Sequence, residues 1–211
     1  SRENFNQEGV ILTSYLPQWG DCPPNDPAFE LADNGVTVTC KGVSAGTGGT
    51  IAGVTYTKVD QKTDLDLYSG GTVPADQACT SDVTDMSRWF HQASPFNDDI
   101  SHWDVSSVTN MSEMFKSAIN FNKDLNHWDV SNLQNANEMF SAATNFNGNI
   151  DSWQTLSLLQ MEEMFEYTNE FNRDIGSWEV SNVSNVDGLF VAAEKFNQDL
   201  SQWNLSKATD Y

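Results

Sequence analysis

The sequence predicts an α/β repeat solenoid in which each 25-residue coil has one short strand and one short helix, preceded by a small β-containing cap. Three sets of aromatic residues recur with this period. The tryptophans are Trp103, Trp128, Trp153, Trp178 and Trp203. The phenylalanines that precede an asparagine are Phe96, Phe121, Phe146, Phe171 and Phe196. The remaining set is Phe90, Phe115, Phe140, Phe165 and Phe190. Such self-similarity is typical of stacked repeats, which bury their apolar faces against one another.

The repeats predict two parts, an N-terminal segment with a β-rich cap at 1–81 and five coils at 82–211. In the first part, 36–40 and 53–59 alternate in polarity as strands do, and 42–49 reads as a loop between them. A repeat stack needs a cap because its first coil otherwise exposes an apolar end and unpaired backbone groups.

Within one coil, the predicted helix rests on the spacing of apolar residues. Met111, Met114, Phe115 and Ala118 follow an i, i+3, i+4, i+7 pattern, which places them on one face of a two-turn helix. The preceding segment 103–109 contains β-branched residues and favours a short strand.

Composition narrows the classes of partner. The chain has 211 residues with 30 acidic and 10 basic side chains, a net charge of −20. This charge disfavours nucleic acid and anionic lipid as partners. No apolar run approaches the roughly 20 residues that a transmembrane helix needs, so we expect no transmembrane segment.

The three cysteines, Cys22, Cys40 and Cys79, fit no CxxC pattern, and a disulfide is their expected use. We expect an oxidising compartment for that reason. The preferred pair is Cys40–Cys79, because it ties the N-terminal region to the first repeat; its loop is worth about 4 kcal/mol on the chain-entropy model. Cys22 is then either a buried thiol or an intermolecular bridge.

The unit WDVSSVTNMSEMFKSAINFNKDLNH at 103–127 resembles the repeat of BspA-like surface proteins. These form a leucine-rich-repeat-like group of secreted or lipid-anchored proteins in bacteria and protists. The resemblance covers 82–211, through W-D-V-S, M-F and F-N-x-D-[IL], and 35–85 is similar to the cap that often precedes such repeats. It implies extracellular exposure, a role in adhesion or surface structure, and no enzymatic activity. It specifies no ligand.

Stacking also predicts columns of polar residues. We expect the asparagines of the FN pairs to hydrogen-bond backbone at each turn, and the tryptophans to lie in the core. Acidic columns repel by about 1 kcal/mol per stacked pair even in water. A Ca²⁺ ion could relieve this repulsion; alternatively, each aspartate accepts backbone N–H bonds in its turn. The candidate Ca²⁺ ligands are Asp99, Asp104, Asp124, Asp129, Asp174 and Asp199.

No nucleophile motif, phosphate loop or paired acid and base points to catalysis, so we expect neither an enzyme nor a cofactor. His102 and His127 occupy equivalent positions without a third ligand, and we expect surface residues there, not a zinc site. N-glycosylation sequons, relevant in a eukaryotic source, occur at Asn110, Asn182 and Asn204.

Alignment of the two ends predicts self-assembly. Tyr211 aligns with Val186, which predicts an open last coil, and Phe5 aligns with Phe196. We expect the N-terminal segment of one copy to dock head to tail on this coil of the next, a contact that generates filaments. The alternative is a diverged upstream repeat and a monomer. The expected interface residues are Arg2, Phe5, Asn6, Gln7, Trp203, Leu205 and Tyr211.

These observations predict a non-enzymatic extracellular protein of the cell surface with a structural or adhesive role. The alternative is a monomeric extracellular module that binds a glycan, a protein or ice through one face of the coil. A regular threonine face would favour ice, and the mixed Ser106, Thr109 and Ser181 match it poorly.

Overall fold

The computed structural model describes residues 29–67 and 71–209. Within these ranges the regular strands lie between residues 30 and 79. They are β1 (Glu30–Leu31), β2 (Val38–Thr39), β3 (Gly48–Ile51), β4 (Val54–Lys58) and β5 (Ala78–Cys79). β1 pairs with β2 antiparallel, β3 pairs with β4 antiparallel, and β5 pairs with β4 in parallel. Two three-residue 3-10 helices, Lys62–Asp64 and Ala75–Gln77, lie between β4 and β5.

The hairpin between β3 and β4 shows how the sequence determines this region. Ile51 pairs with Val54 across a two-residue turn in which Ala52 and Gly53 have φ angles of 49° and 85°. Two positive φ angles match the twist of a β-hairpin. The strand predicted at 53–59 is therefore confirmed as β4, whereas the one predicted at 36–40 shortens to β2. The expected loop at 42–49 ends where β3 begins.

Residues 82–209, which we call the repeat stack, lie coil on coil. Single-residue parallel bridges connect equivalent positions of successive coils: Asp85, Asn110, Asn135, Gln160 and Asn185. Alternate backbone N–H groups donate to the next coil. For example, Met111 donates to the Asn135 carbonyl at 2.9 Å and Glu113 to Asn137 at 2.8 Å. The stack is therefore held together by backbone hydrogen bonds as well as by its core.

The predicted α/β repeat solenoid, with a strand and a helix in each coil, is wrong. The described residues contain no α-helix, and the segments 103–109 and 111–118 consist of turns and isolated bridges. Glu113 and Ser117 have φ angles of 55° and 60°, in the left-handed region that an α-helix excludes. The apolar spacing of this segment nevertheless reports burial correctly, since Met111, Met114 and Phe115 are fully buried.

The core of the repeat stack is a set of aromatic ladders, which confirms the expected tryptophan column. The ring centroids of successive tryptophans from Trp103 to Trp178 are 5.8–6.5 Å apart. Each later indole N–H donates to a carbonyl of the preceding coil, as Trp128 does to Ile100 at 3.0 Å, and that of Trp103 donates to the Ala75 carbonyl in the cap. Burying the rings therefore leaves no indole donor unpaired in the ladder, which a core requires.

This core crosses the domain boundary predicted at 81/82. One continuous cluster of buried side chains runs from Val59 in the cap to Ala208 in the last coil. A smaller cluster around Phe29, Val38 and the two bonded cysteines lies beside it. The division into 1–81 and 82–211 stays a prediction.

Candidate interaction surface

The outside of the repeat stack carries an asparagine ladder, as predicted. The FN pair turns its phenylalanine inward and its asparagine outward. From Asn122 onward, the backbone N–H of each asparagine donates to the side-chain Oδ1 of the asparagine 25 residues earlier, at 2.8–3.0 Å. The ladder residues are Asn97, Asn122, Asn147, Asn172 and Asn197. Each of the first four coils thus receives one donor from the next coil at this position.

A second contact accompanies the ladder in two coils. The residue after the asparagine is Arg173 in one coil and Gln198 in the next. Arg173 Nε donates to the Asn147 carbonyl at 2.6 Å, and Gln198 Nε2 donates to the Asn172 carbonyl at 3.2 Å and to its Oδ1 at 2.8 Å. A long donor side chain here therefore fastens the FN segment to the coil before it. The repeat pattern did not predict this role, because the position holds Asp98, Lys123 and Gly148 in the other coils.

The acidic columns form turns. Aspartates at two repeat positions accept the backbone N–H two residues later at 2.8–3.1 Å: Asp99, Asp104, Asp129, Asp174 and Asp199. Asp124 accepts the N–H of Asn149 at 2.8 Å. The alternative, in which each aspartate accepts a backbone N–H in its turn, is thus confirmed for five of these aspartates, whereas Asp124 accepts from the next coil. Within 29–67 and 71–209, no group of three or more His, Cys, Asp or Glu side chains is placed to hold a metal ion.

In two of these turns the hydrogen bonds lower the pKa of the aspartate. Burial raises the pKa of Asp99, but hydrogen bonds from the backbone and side chain of Ser101 outweigh it and hold the pKa below its usual range. Hydrogen bonds from the backbone and side chain of Ser201 lower the pKa of Asp199. Both carboxylates therefore stay ionised at neutral pH.

A further column of equivalent positions holds Arg88, Glu113, Glu138 and Glu163, and some of these residues form ion pairs. Arg88 Nη2 lies 2.9 Å from Glu113 Oε2, and Lys116 pairs with Glu138. The next coil has Glu163 at this position. Burial raises the pKa of Glu163, and the neighbouring Glu166 and Glu162 raise it further. This position is thus basic in the first coil and acidic in the next three.

The junction between cap and stack contains the predicted disulfide. Cys40 and Cys79 are bonded, with their Cα atoms 6.2 Å apart, and both are fully buried. The pairing is confirmed. Cys22 lies outside the described residues, so its two alternatives stay open.

His102 belongs to this junction and is only half-buried there, so the prediction of a surface residue holds for it only in part. Its Nε2 lies 3.0 Å from the Ala78 carbonyl, and its ring centroid is 5.3 Å from that of Tyr56. Its backbone carbonyl accepts the N–H of Val38 at 2.8 Å. Burial lowers the pKa of His102 despite the Ala78 carbonyl and two nearby aspartates. His127, at the equivalent position, is exposed as expected.

The three sequons differ in their contacts. The side-chain Nδ2 of Asn110 donates to Asp85, and that of Asn182 donates to the Leu156 carbonyl at 2.8 Å. Asn204 is exposed, and its Nδ2 donates to no described residue. Asn204 is therefore the sequon asparagine whose amide nitrogen is best placed to be modified.

The last described coil presents a partly open apolar face, which we call the last-coil face. Its residues are partly buried: Phe190, Phe196, Leu200, Trp203 and Leu205. Their equivalents one coil earlier are at most 3 % exposed: Phe165, Phe171, Ile175, Trp178 and Val180. Two predicted interface residues, Trp203 and Leu205, thus lie together on this face. The others lie outside the described residues: Arg2, Phe5, Asn6, Gln7 and Tyr211.

Comparison with known proteins identifies one family. A family model described as "Mycoplasma protein of unknown function, DUF285" matches residues 72–166 and, again, residues 137–211. No curated protein and no solved structure matches the chain. None of the helices in the described ranges is long and apolar enough to span a bilayer.

Proposed function

The chain belongs to the family described as "Mycoplasma protein of unknown function, DUF285", and from this premise we propose that it is a non-enzymatic extracellular protein of the cell surface. Its role is structural or adhesive, and its copies associate head to tail. The finer kinship with BspA-like surface proteins is part of the proposal, since it rests on the W-D-V-S, M-F and F-N-x-D-[IL] pattern.

The observation that carries the proposal is the periodic surface of the repeat stack. Every coil presents the same asparagine hydrogen bond, and successive rings beneath it are about 6 Å apart. A rigid column of equivalent groups is suited to contacts that are themselves repeated, as in adhesion or assembly.

The buried disulfide supports the extracellular location. Disulfides persist in oxidising compartments and are rare in the cytosol. The bond between Cys40 and Cys79 joins two segments of the cap, in a small buried cluster beside the aromatic core. The net charge of −20 favours a solvated surface. Repulsion between copies then opposes association except through a specific, complementary contact.

Antibodies against the folded chain test this proposal on cells of the source organism. We expect labelling of intact cells and labelled fibrous material in electron micrographs. Labelling that requires permeabilised cells would sink the extracellular role. Binding of a soluble glycan or protein by a monomer, with no fibrous material, would favour the alternative of a monomeric binding module.

A further inference from the structure

We infer that two copies of the chain associate side by side and antiparallel through an uncharged surface on the side of the repeat stack. This surface, which we call the uncharged face, consists of the outward residues of 106–109, 131–134, 156–159 and 181–184. It runs along the stack, parallel to the aromatic ladders, so neighbouring coils do not cover it. The contact is lateral and goes beyond the head-to-tail association of the proposed function.

Charge is absent from this face although the chain has 30 acidic side chains. The four segments contain no charged residue. The third residue of each segment is buried in the core, and the other three lie outward: the buried set is Val108, Leu133, Leu158 and Val183. Because two copies with a net charge of −20 repel each other, a face without carboxylates is where they approach at the smallest electrostatic cost.

The third of these segments adds an exposed apolar pair. Leu156 and Leu159 are 58 % and 43 % exposed. The equivalent residues of the adjacent coils are polar: Ser131, Gln134, Ser181 and Ser184. Since a leucine gains free energy when a partner removes it from water, this pair is the apolar anchor of the contact.

The amides around the leucines are ordered by the stack itself. Asn132 Nδ2 donates to the Ser106 carbonyl and Asn182 Nδ2 to the Leu156 carbonyl, both at 2.8 Å. These groups keep an acceptor when they are covered, and their side chains are held before binding. Both effects reduce the cost of association.

Two opposite charges bound the uncharged face in one column of equivalent positions. Asp82 lies one repeat before Ser107, and Lys207 lies one repeat after Asn182; both charged residues are exposed. Lys207 Nζ donates to Asn182 Oδ1 at 2.6 Å, and within the described ranges no carboxylate pairs with it.

An antiparallel second copy pairs both charges at once. A two-fold axis that crosses the stack between 131–134 and 156–159 sets each column against the same column with the coils in reverse order. Asp82 of each copy then faces Lys207 of the other, and the leucines of the two copies meet beside the axis. A parallel copy would place Asp82 on Asp82 and Lys207 on Lys207, so charge selects the antiparallel arrangement.

The acidic column beside the face is compatible with this arrangement. Asp129 lies opposite Gln154. Glu179 lies opposite Asp104, whose carboxylate is buried and accepts the Ser81 hydroxyl at 2.6 Å. Among these residues, no two exposed carboxylates therefore face each other.

Sedimentation velocity of the full chain at about 1 to 100 µM in about 0.15 M NaCl tests the contact. We expect a monomer–dimer equilibrium. Leu156→Ser with Leu159→Ser, which gives this coil the residues of the next one, should weaken dimerisation about tenfold or more. Ile119→Thr is the matched control and should leave dimerisation unchanged, since Ile119 is 42 % exposed outside the face and the next coil has threonine there.

A double-mutant cycle tests the orientation. Lys207→Glu should weaken dimerisation about tenfold because like charges then meet at both ends of the face. In an Asp82→Asn background the same change should have a much smaller effect. Asparagine keeps an acceptor for the Gly42 N–H and tolerates the φ of 68° at this position. Lys123→Glu, an equal change in net charge outside the face, is the control.

Folding and covalent controls complete the design. Tryptophan emission verifies that each variant is folded, and non-reducing gels exclude a bridge through Cys22. A persistent monomer, including one whose uncharged face binds a different molecule, would overturn the inference. Dimerisation that the leucine changes leave intact, or an equal effect of Lys207→Glu in both backgrounds, would do the same. Growth beyond the dimer and surface labelling of cells report on the proposed function, so the two ideas fail separately.

Discussion

At the scale of single residues, the asparagine of each FN pair connects two coils through one side-chain oxygen. For example, the backbone N–H of Asn147 donates to Asn122 Oδ1 in the coil before it. Asn147 Oδ1 in turn accepts the backbone N–H of Asn172 in the coil after it. The side chain is exposed or half-buried, so hydration competes with the bond and its net contribution is modest. The repeated sequence alone predicted this ladder, because a fixed period places identical side chains over one another.

Replacing a ladder asparagine tests this contribution. Asn122→Ala removes the oxygen that accepts the Asn147 N–H at 2.8 Å, and we expect a loss of about 1 kcal/mol in the free energy of unfolding. Asn197→Ala is the matched control, since its Oδ1 accepts from no described residue. Its unfolding free energy in urea should equal that of the wild type for the monomer. Equal losses in both variants would show that solvation of the amide, and not the ladder bond, sets the effect.

His102 makes the junction sensitive to pH. Its pKa is lowered from 6.5 in the fold, so the unfolded chain binds the proton more readily. The stability that neutral His102 supports is complete above the unfolded pKa and is lost as the pH falls toward the folded pKa. We expect the free energy of unfolding to decrease from about pH 7.5 to about pH 5.5.

The equivalent histidine supplies the control for this pH dependence. His102→Gln should reduce the decrease, whereas His127→Gln, at an exposed position, should leave it unchanged. The measurement is urea unfolding followed by tryptophan emission at both pH values. A decrease that persists unaltered in His102→Gln would assign the pH dependence to other groups.

At the scale of the element, the sequence predicted the buried residues of segment 111–118 correctly and its helical backbone conformation incorrectly. The spacing of Met111, Met114 and Phe115 describes any segment that turns its apolar side chains inward every three or four residues. Here the turns alternate with left-handed residues, so N–H groups point to the next coil. One signal was available: Gly188 stands where earlier coils have Glu113 and Glu163, and glycine at a helical position indicates a positive φ.

The phenylalanine ladder provides a prediction at this scale. Phe140 is fully buried between the rings of Phe115 and Phe165, at 5.4 and 5.8 Å. Phe140→Ala should lower the free energy of unfolding by about 3–5 kcal/mol. Phe190→Ala, the same change on the last-coil face, should cost less because its ring is only partly buried. Thermal unfolding of both variants decides this, and a cost for Phe190→Ala as large as for Phe140→Ala would contradict it.

At the scale of the whole molecule, cap and stack share one continuous core, and a disulfide closes a loop within the cap beside it. Cys40→Ser with Cys79→Ser removes a crosslink between positions 39 residues apart and should cost about 4 kcal/mol on the chain-entropy model. We expect the cap to unfold first, seen as early proteolysis before residue 82. Reduction of the wild type should reproduce the effect. An unchanged unfolding free energy would show that the packed core alone holds the cap.

The sequence predicted those parts of the interaction surface that follow from the 25-residue period. The period predicted the ladders and the grouping of Trp203 with Leu205, because these follow from stacking alone. It could not predict the role of Gln198 or the junction contacts of His102. Those depend on which carbonyl the neighbouring chain presents, and Ala78, 24 residues before His102, lies outside the repeat.

The net charge of −20 gives the last prediction at this scale. Repulsion among the carboxylates, as in the group of Glu162, Glu163 and Glu166, destabilises the compact state and is screened by salt. The ion pairs, such as Arg88 with Glu113, are few by comparison and lose strength in salt. Repulsion should win, so raising NaCl from about 0.02 to 0.3 M should raise Tm by a few degrees.

Adding calcium distinguishes general screening of charge from specific binding of an ion to the acidic columns. Since these aspartates accept backbone N–H bonds within their turns, about 1 mM CaCl₂ in low salt should shift Tm far less than the NaCl does. Differential scanning calorimetry measures both shifts, and Asp129→Asn, which keeps the turn acceptor and removes a charge, should raise Tm in low salt. A fall in Tm with NaCl would mean that the ion pairs outweigh the repulsion. A large rise with CaCl₂ that Asp129→Asn removes would place a bound ion on the column.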